Sequence, residues 1–468
     1  MDSTSGGSSS SRSRRRSSEE LVDRISSLSD DLLLHILSFL DRRRAVLTGI
    51  LSRRWRGLWA HTQSLDFDEY RYYGIDHNDI IPFDDRNGFV KFVEQSLLLH
   101  LCPNIHKFRL HFDFRNMYDS FIEKWLLFAV RRGVKQLYLD LPSFWDRDYK
   151  LPEWLFKSDS IPALLDGCPL LEDLVLEECV FFGGSVLRIS SSSASGLPLK
   201  RLTLARNSIC LTEEAVGLEI EAPKLQILNL SWFKMYNNSL KNMWSLREVY
   251  LEIPIEYPPP ESHPILESWL KELHHVKVLK LCEVCIEVLS TPGERYQPSF
   301  VSKTKCLMLE SQLRRSELPG IANLLWRSHD LENLVIKLIP SEFDILDLES
   351  IEDDFDKEYW ERLKFPFPCM VSHLMTIKIS GFMGRECVSA VDGVTARRFF
   401  EKQYEEIELV KFFLKNASAL KKMTIHFCGK PDFVEEAEWL KLLQMIDQKL
   451  TALPRASSCA ELSLLYKC

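Results

Sequence analysis

The sequence predicts an α/β chain: a small three-helix unit near the amino terminus, then a long, irregular solenoid with a parallel sheet on its concave face. Three observations predict it. A leucine-rich segment near residue 30 has helical spacing. The pattern apolar-x-x-apolar-x-apolar recurs from about residue 100 onward. Finally, 45% of the 468 residues are apolar, so most of the chain can bury a core.

The helical unit spans 21–66. Ser29, Asp30 and Asp31 supply capping oxygens ahead of Leu32, Leu33, Ile36, Leu37 and Leu40. The spacing predicts one stripe of Leu33, Ile36, Leu37 and Leu40. Arg42 to Ile50 reads as a second short helix, and Ser52 as the cap of a third carrying Trp55, Leu58 and Trp59. So small a bundle has little core of its own and leaves apolar residues over. Ringed by Arg42, Arg43, Arg44, Arg53, Arg54 and Arg56, those residues suggest a docking surface.

The repeats follow over 100–340. Ile105-Phe108-Leu110, Val134-Leu137-Leu139, Leu171-Leu174-Leu176 and Leu199-Leu202-Leu204 are early copies. Thr304 takes the first slot of a weaker one, before Leu307 and Leu309. The third positions 110, 139, 176, 204, 230, 251, 281, 309 and 336 lie 21 to 37 residues apart. That is the period of a leucine-rich repeat with insertions. One strand cannot bury its apolar face alone, whereas stacked strands share a core. Two further copies, Leu374-Ile377-Ile379 and Leu420-Met423-Ile425, come at wider spacing, so the array loosens near residue 340. Cys179 and Asn207 occupy the slot that satisfies turning backbone in such repeats.

Three segments flank these units. Residues 1–20 are a Ser/Arg tail too poor in apolar surface to order, and its arginines are open to reading as a nuclear address or a bare solvated tail. Residues 341–357 read as an acidic linker, and 358–468 as a C-terminal region.

Composition narrows the function. A formal net charge of -8 gives no electrostatic case for nucleic acid. No run reaches the roughly 18 apolar residues of a membrane helix. The first twenty residues carry no secretory apolar segment, so a soluble protein of nucleus and/or cytoplasm is expected, its twelve cysteines reduced. Cys282-x-x-Cys285 is a candidate metal or redox pair, but no second pair completes a zinc set, and buried thiols are the expected reading. No P-loop, nucleophile elbow or dinucleotide fingerprint is present. The expectation is a non-enzyme without cofactor.

Residues 23–40, from Asp23-Arg24-Ile25 to Ser38-Phe39-Leu40, resemble a plant-type F-box. So do 45–59, ending Gly57-Leu58-Trp59, with Leu65-Asp66-Phe67-Asp68 after them. Ser372-His373-Leu374 to Gly381-Phe382, Phe413-Leu414-Lys415 to Thr424-Ile425, and Pro454-Arg455-Ala456 resemble an FBD region. With the repeats, the chain resembles the F-box/LRR/FBD family. The resemblance implies an F-box that binds a Skp-type adaptor and, through it, a cullin, with repeats that hold an unknown target for ubiquitination. Leu28, Leu32, Ile36, Leu37, Leu40, Val46, Leu51, Trp55 and Trp59 are the candidate adaptor-binding residues, each also a candidate for the bundle's own core. The family usually has Pro where this chain has Ser29 and Asp41; both can cap a helix instead, so the fold is expected to survive. A scaffold without ligase function, and a receptor whose repeats hold a small molecule, remain alternatives.

Overall fold

A computed structural model describes residues 24–466 apart from residue 26 and segments 76–85, 114–118, 143–159, 182–185, 191–195, 206–207, 210–216, 232–238, 254–261, 291–299, 340–358, 363–366, 384–392 and 431–434. The Ser/Arg tail, the whole acidic linker, and Asn207 lie outside the described residues.

Local capping starts the helical unit as the sequence predicts. Helix α1 (Asp30–Leu37) is capped by Ser29, whose hydroxyl accepts from the Leu32 amide at 3.4 Å. Helix α2 (Arg42–Leu47) is capped by Asp41, which accepts from the Arg44 amide at 2.9 Å. The expected end of the second helix is instead a 3-10 turn, Thr48–Ile50. The third helix is also shorter than Ser52 would make it, a 3-10 turn at Leu58–His61. Leu33, Leu37, Ala45, Trp55 and Leu58 form a core cluster of their own, separate from the main core.

Among the described residues, thirteen strands form one all-parallel sheet in chain order. They are β1 (Ser64–Asp68), β2 (Lys107–His111), β3 (Gln136–Asp140), β4 (Asp173–Glu177), β5 (Arg201–Ala205), β6 (Ile227–Ser231), β7 (Glu248–Glu252), β8 (Val278–Leu281), β9 (Cys306–Ser311), β10 (Asn333–Leu338), β11 (Thr376–Phe382), β12 (Lys422–Phe427) and β13 (Glu461–Leu465). Every copy of the repeat supplies one strand, in register: Leu110 pairs with Leu139, Leu139 with Leu176, Leu309 with Ile336. Thr304 is buried and its hydroxyl lies 2.6 Å from that of Ser302, so a polar residue fills an apolar slot at no hydrogen-bond loss. The apolar positions of all these strands belong to one continuous core.

The array is longer than the repeat pattern shows. β1 precedes it, so the chain enters the sheet directly from the helical unit. β13 follows β12, and the C-terminal region therefore continues the same sheet. Wide spacing after residue 340 has a simple cause: helices Tyr359–Arg362, Pro368–Ser372, Gly393–Asn416 and Glu436–Thr451 fill the longer returns.

Arg42 fastens the helical unit to the array. Its guanidinium is buried and donates to the Trp59 carbonyl at 2.6 Å and the Thr62 hydroxyl at 3.0 Å. It also reaches His100 Nδ1 at 3.4 Å, at the end of the helix Arg86–Leu98, and lies 4.7 Å over the Trp59 ring. Burial pushes the Arg42 pKa down to about 10. Burial, and then Arg42 itself, pushes His100 down to about 3, so that ring stays neutral and accepts.

Buried carboxylates close the backbone where strands end. Glu69 accepts from the Asp113 amide at 3.0 Å, Glu317 from the Gln312 amide at 3.1 Å, and Glu406 from the Met383 amide at 2.8 Å. A strand leaving a sheet strands an N–H, and each glutamate satisfies one.

Candidate functional site

Helix α1 is apolar on two faces. Leu33 and Leu37 point into the small core. Leu32, Ile36 and Phe39 follow at i, i+4 and i+7, the last just beyond the helix end, and are 51%, 42% and 75% exposed. A helix that is apolar all round belongs in an interior, and this one has an interior on one side only. Ile25, Leu47, Ile50 and Leu51 of the same small unit are also exposed, Ile50 by 83%. Arg54 braces it, pairing with Asp30 at 2.6 Å and donating to the Leu28 carbonyl at 2.5 Å.

The nine residues singled out from sequence divide three ways. Leu32, Ile36 and Leu51 are exposed. Leu28, Leu40, Val46 and Trp59 are half-buried; Leu28, Leu40 and Trp59 pack against the small core. Leu37 and Trp55 are buried within that core and have no surface to offer, which corrects their placement among contact residues. Leu37 falls there because it stands one turn from Leu33. Sequence reasoning missed Ile25, Phe39, Leu47 and Ile50. Phe39 was findable, three residues beyond Ile36.

The concave face carries the strands' outward side chains. Lys280 lies 4.0 Å over the Tyr250 ring, and Glu310 sits between Lys280 at 3.2 Å and Lys337 at 3.1 Å. Toward β1, His111 and Asp140 are 2.5 Å apart. Burial lowers the His111 pKa, but the hydrogen bond and charge of Asp140 outweigh it, and the net shift is upward. A base whose folded pKa is raised stabilises the fold below its unfolded value, near pH 6.5, and loses that contribution as pH rises through the folded value. His111→Gln is therefore expected to lower stability at pH 6 and to flatten its decline above pH 6.5, as denaturant titrations across that range would show. An unchanged pH slope would mean His111 is not the titrating group.

Cys282 and Cys285 are buried, with sulfurs 3.6 Å apart. Burial raises the Cys285 thiol well above its usual value, the opposite of what a reactive thiolate needs. A disulfide reagent should modify exposed Cys459 quickly and Cys285 only on unfolding. Labelling of Cys285 in the folded protein would show the pair to be accessible. Among the described residues no group of three or more metal-ligating side chains converges, and no helix is long and apolar enough to cross a membrane.

A helical unit with an uncovered apolar face, leading directly into a solenoid of leucine-rich repeats, is the architecture of an F-box/LRR protein. The F-box domain model matches residues 25–65, and the FBD model matches residues 394–425. A relative from Arabidopsis thaliana, named as an F-box/LRR-repeat protein, is 29% identical over 451 residues, 87% of each chain. Another, named as an FBD-associated F-box protein, is 26% identical over 447 residues, 94% of this chain and 98% of its own. A third, an F-box/FBD/LRR-repeat protein, is 28% identical over 314 residues, 58% of this chain and 68% of its own. The chain thus carries an F-box and an FBD region, and over most of its length it is similar to F-box/LRR-repeat and FBD-associated F-box proteins.

Proposed function

We propose that this chain is the substrate-recognition subunit of an SCF-type ubiquitin ligase. Its F-box docks to a Skp-type adaptor and through it to a cullin, and its repeats hold the target protein. The observation that carries the reading is the outward stripe Leu32-Ile36-Phe39 on a helix whose other face is already committed to a core. A groove between adaptor helices fits such a stripe. The chain contributes proximity: a held target presents its lysines to activated ubiquitin at high effective concentration. The chemistry belongs to a partner.

Mixing the purified chain with a recombinant Skp-type adaptor tests this. A stable one-to-one complex on size exclusion is the expected result. Two separate peaks at micromolar concentration would leave a protein-binding scaffold as the surviving reading.

A further inference from the structure

One residue precedes each strand, on the lip where the chain turns into the sheet. These residues are themselves linked across the array. The Lys200 amide donates to the Glu172 carbonyl at 2.7 Å, Arg247 to Gln226 at 2.8 Å, Lys277 to Arg247 at 2.9 Å, and Lys305 to Lys277 at 2.9 Å. Side chains far apart in sequence thus become neighbours at a strand spacing of about 4.8 Å. The row is basic: Lys135, Lys200, Arg247, Lys277, Lys305 and Lys421 stand along it. Its two carboxylates are already paired, Glu172 with Lys200 at 2.8 Å and Glu332 with Lys305.

Arg247 and Lys277 are exposed and adjacent, and neither has a carboxylate within ion-pair distance among the described residues. Trp244, three residues ahead of Arg247, is 78% exposed. Several positions toward the opposite ends of the strands are acidic, namely Asp140, Glu177, Glu252 and Glu310, with Lys337 beside Glu310. With six cations and two carboxylates, the row carries a net positive charge on a chain of formal charge -8.

We propose that this lip, centred on Trp244, Arg247 and Lys277, binds an extended acidic segment of a partner protein. A strand-like peptide advances about 3.4 Å per residue and turns every second side chain to one face, so acids two positions apart, about 6.8 Å, come within reach of long cationic side chains on neighbouring strands. Trp244 takes an apolar side chain beside those acids; Trp and Arg are the residue types that dominate protein contacts. A single-stranded nucleic acid would call for a series of stacking aromatics along the track, and one tryptophan does not make one. The lip does not depend on adaptor docking. Arg247 precedes β7, six strand steps or roughly 29 Å from β1. Each surface can fail without the other.

The test is fluorescence anisotropy with the full chain and a labelled peptide that repeats Glu with interspersed Leu. The wild type binds it, more weakly as salt rises, and Arg247→Glu with Lys277→Glu weakens binding at least about tenfold, one reversed pair of contacts being worth that much. Arg247→Gln with Lys277→Gln gives an intermediate loss, and because the positions are exposed, circular dichroism should be unchanged in both. No binding by the wild type overturns the proposal, as does equal binding by the charge-reversed variant. An oligothymidine that binds as tightly as the peptide overturns it in favour of nucleic acid.

Discussion

Ile36→Asp and, separately, Ile50→Asp are expected to weaken adaptor capture by about a hundredfold or more while leaving the fold intact. The side chains are 42% and 83% exposed, so neither holds the bundle together. Docked against an adaptor, each isoleucine gains about 1.5–3 kcal/mol of burial. An aspartate forfeits that and brings a charge whose desolvation costs several kcal/mol more. At about 1.4 kcal/mol per decade, the combined loss exceeds two decades in Kd. Isothermal titration against the adaptor measures it, with thermal melts alongside. Undiminished affinity in both variants would mean the uncovered stripe is not the docking surface. Trp55→Ala would be a poor probe of the same question. Trp55 is in the small core, and removing a buried aromatic costs about 3–5 kcal/mol, so lost capture would report lost folding.

Gly381→Ala is expected to cost about 2–5 kcal/mol and to loosen only one end of the molecule. Gly381 has φ of 80° where the pairing of β11 with β12 shifts between Ser380 and Phe382. An L-residue there costs roughly 1–2 kcal/mol. Its methyl would also lie 2.2 Å from the Leu338 carbonyl oxygen, so backbone must move, at about 1–3 kcal/mol more. In a stacked array each strand contacts only its neighbours. Hydrogen exchange should therefore accelerate in β10 to β13 and stay slow in β1 to β4. Uniform acceleration would show that the array unfolds as a single unit; no change would show that the backbones can part without strain.

Ten of the strands were legible because each carries the same three apolar slots, and β9, with Thr304 in its first slot, because it stands at the repeat period between two such copies. β1 escaped because Thr62 holds its first slot, with a hydroxyl used by Arg42 and Trp59. β13 escaped because exposed Cys459 holds the corresponding place. The caps at Ser29 and Asp41 were legible because capping is local. Which face of α1 is covered was not: apolar residues occupy both faces, and only the packing of Trp55 and Leu58 decides between them. The buried glutamates were hidden for a different reason. Glu69 answers an amide at Asp113, and no local pattern announces that. The basic lip is equally silent, since Arg247 and Lys277 are thirty residues apart in sequence.

The guanidinium clamp at Arg42 has a mechanical corollary. With the first strand starting three residues after the Leu58–His61 turn, there is no hinge between the docking end and the ribbon. Position along the sheet then becomes a calibrated path: each strand adds about 4.8 Å, and the thirteen strands cover roughly 58 Å measured along it. In the proposed ligase, a target held six strands out would sit at a fixed distance along the sheet from the F-box, and excising a single repeat would draw it inward by one graduation.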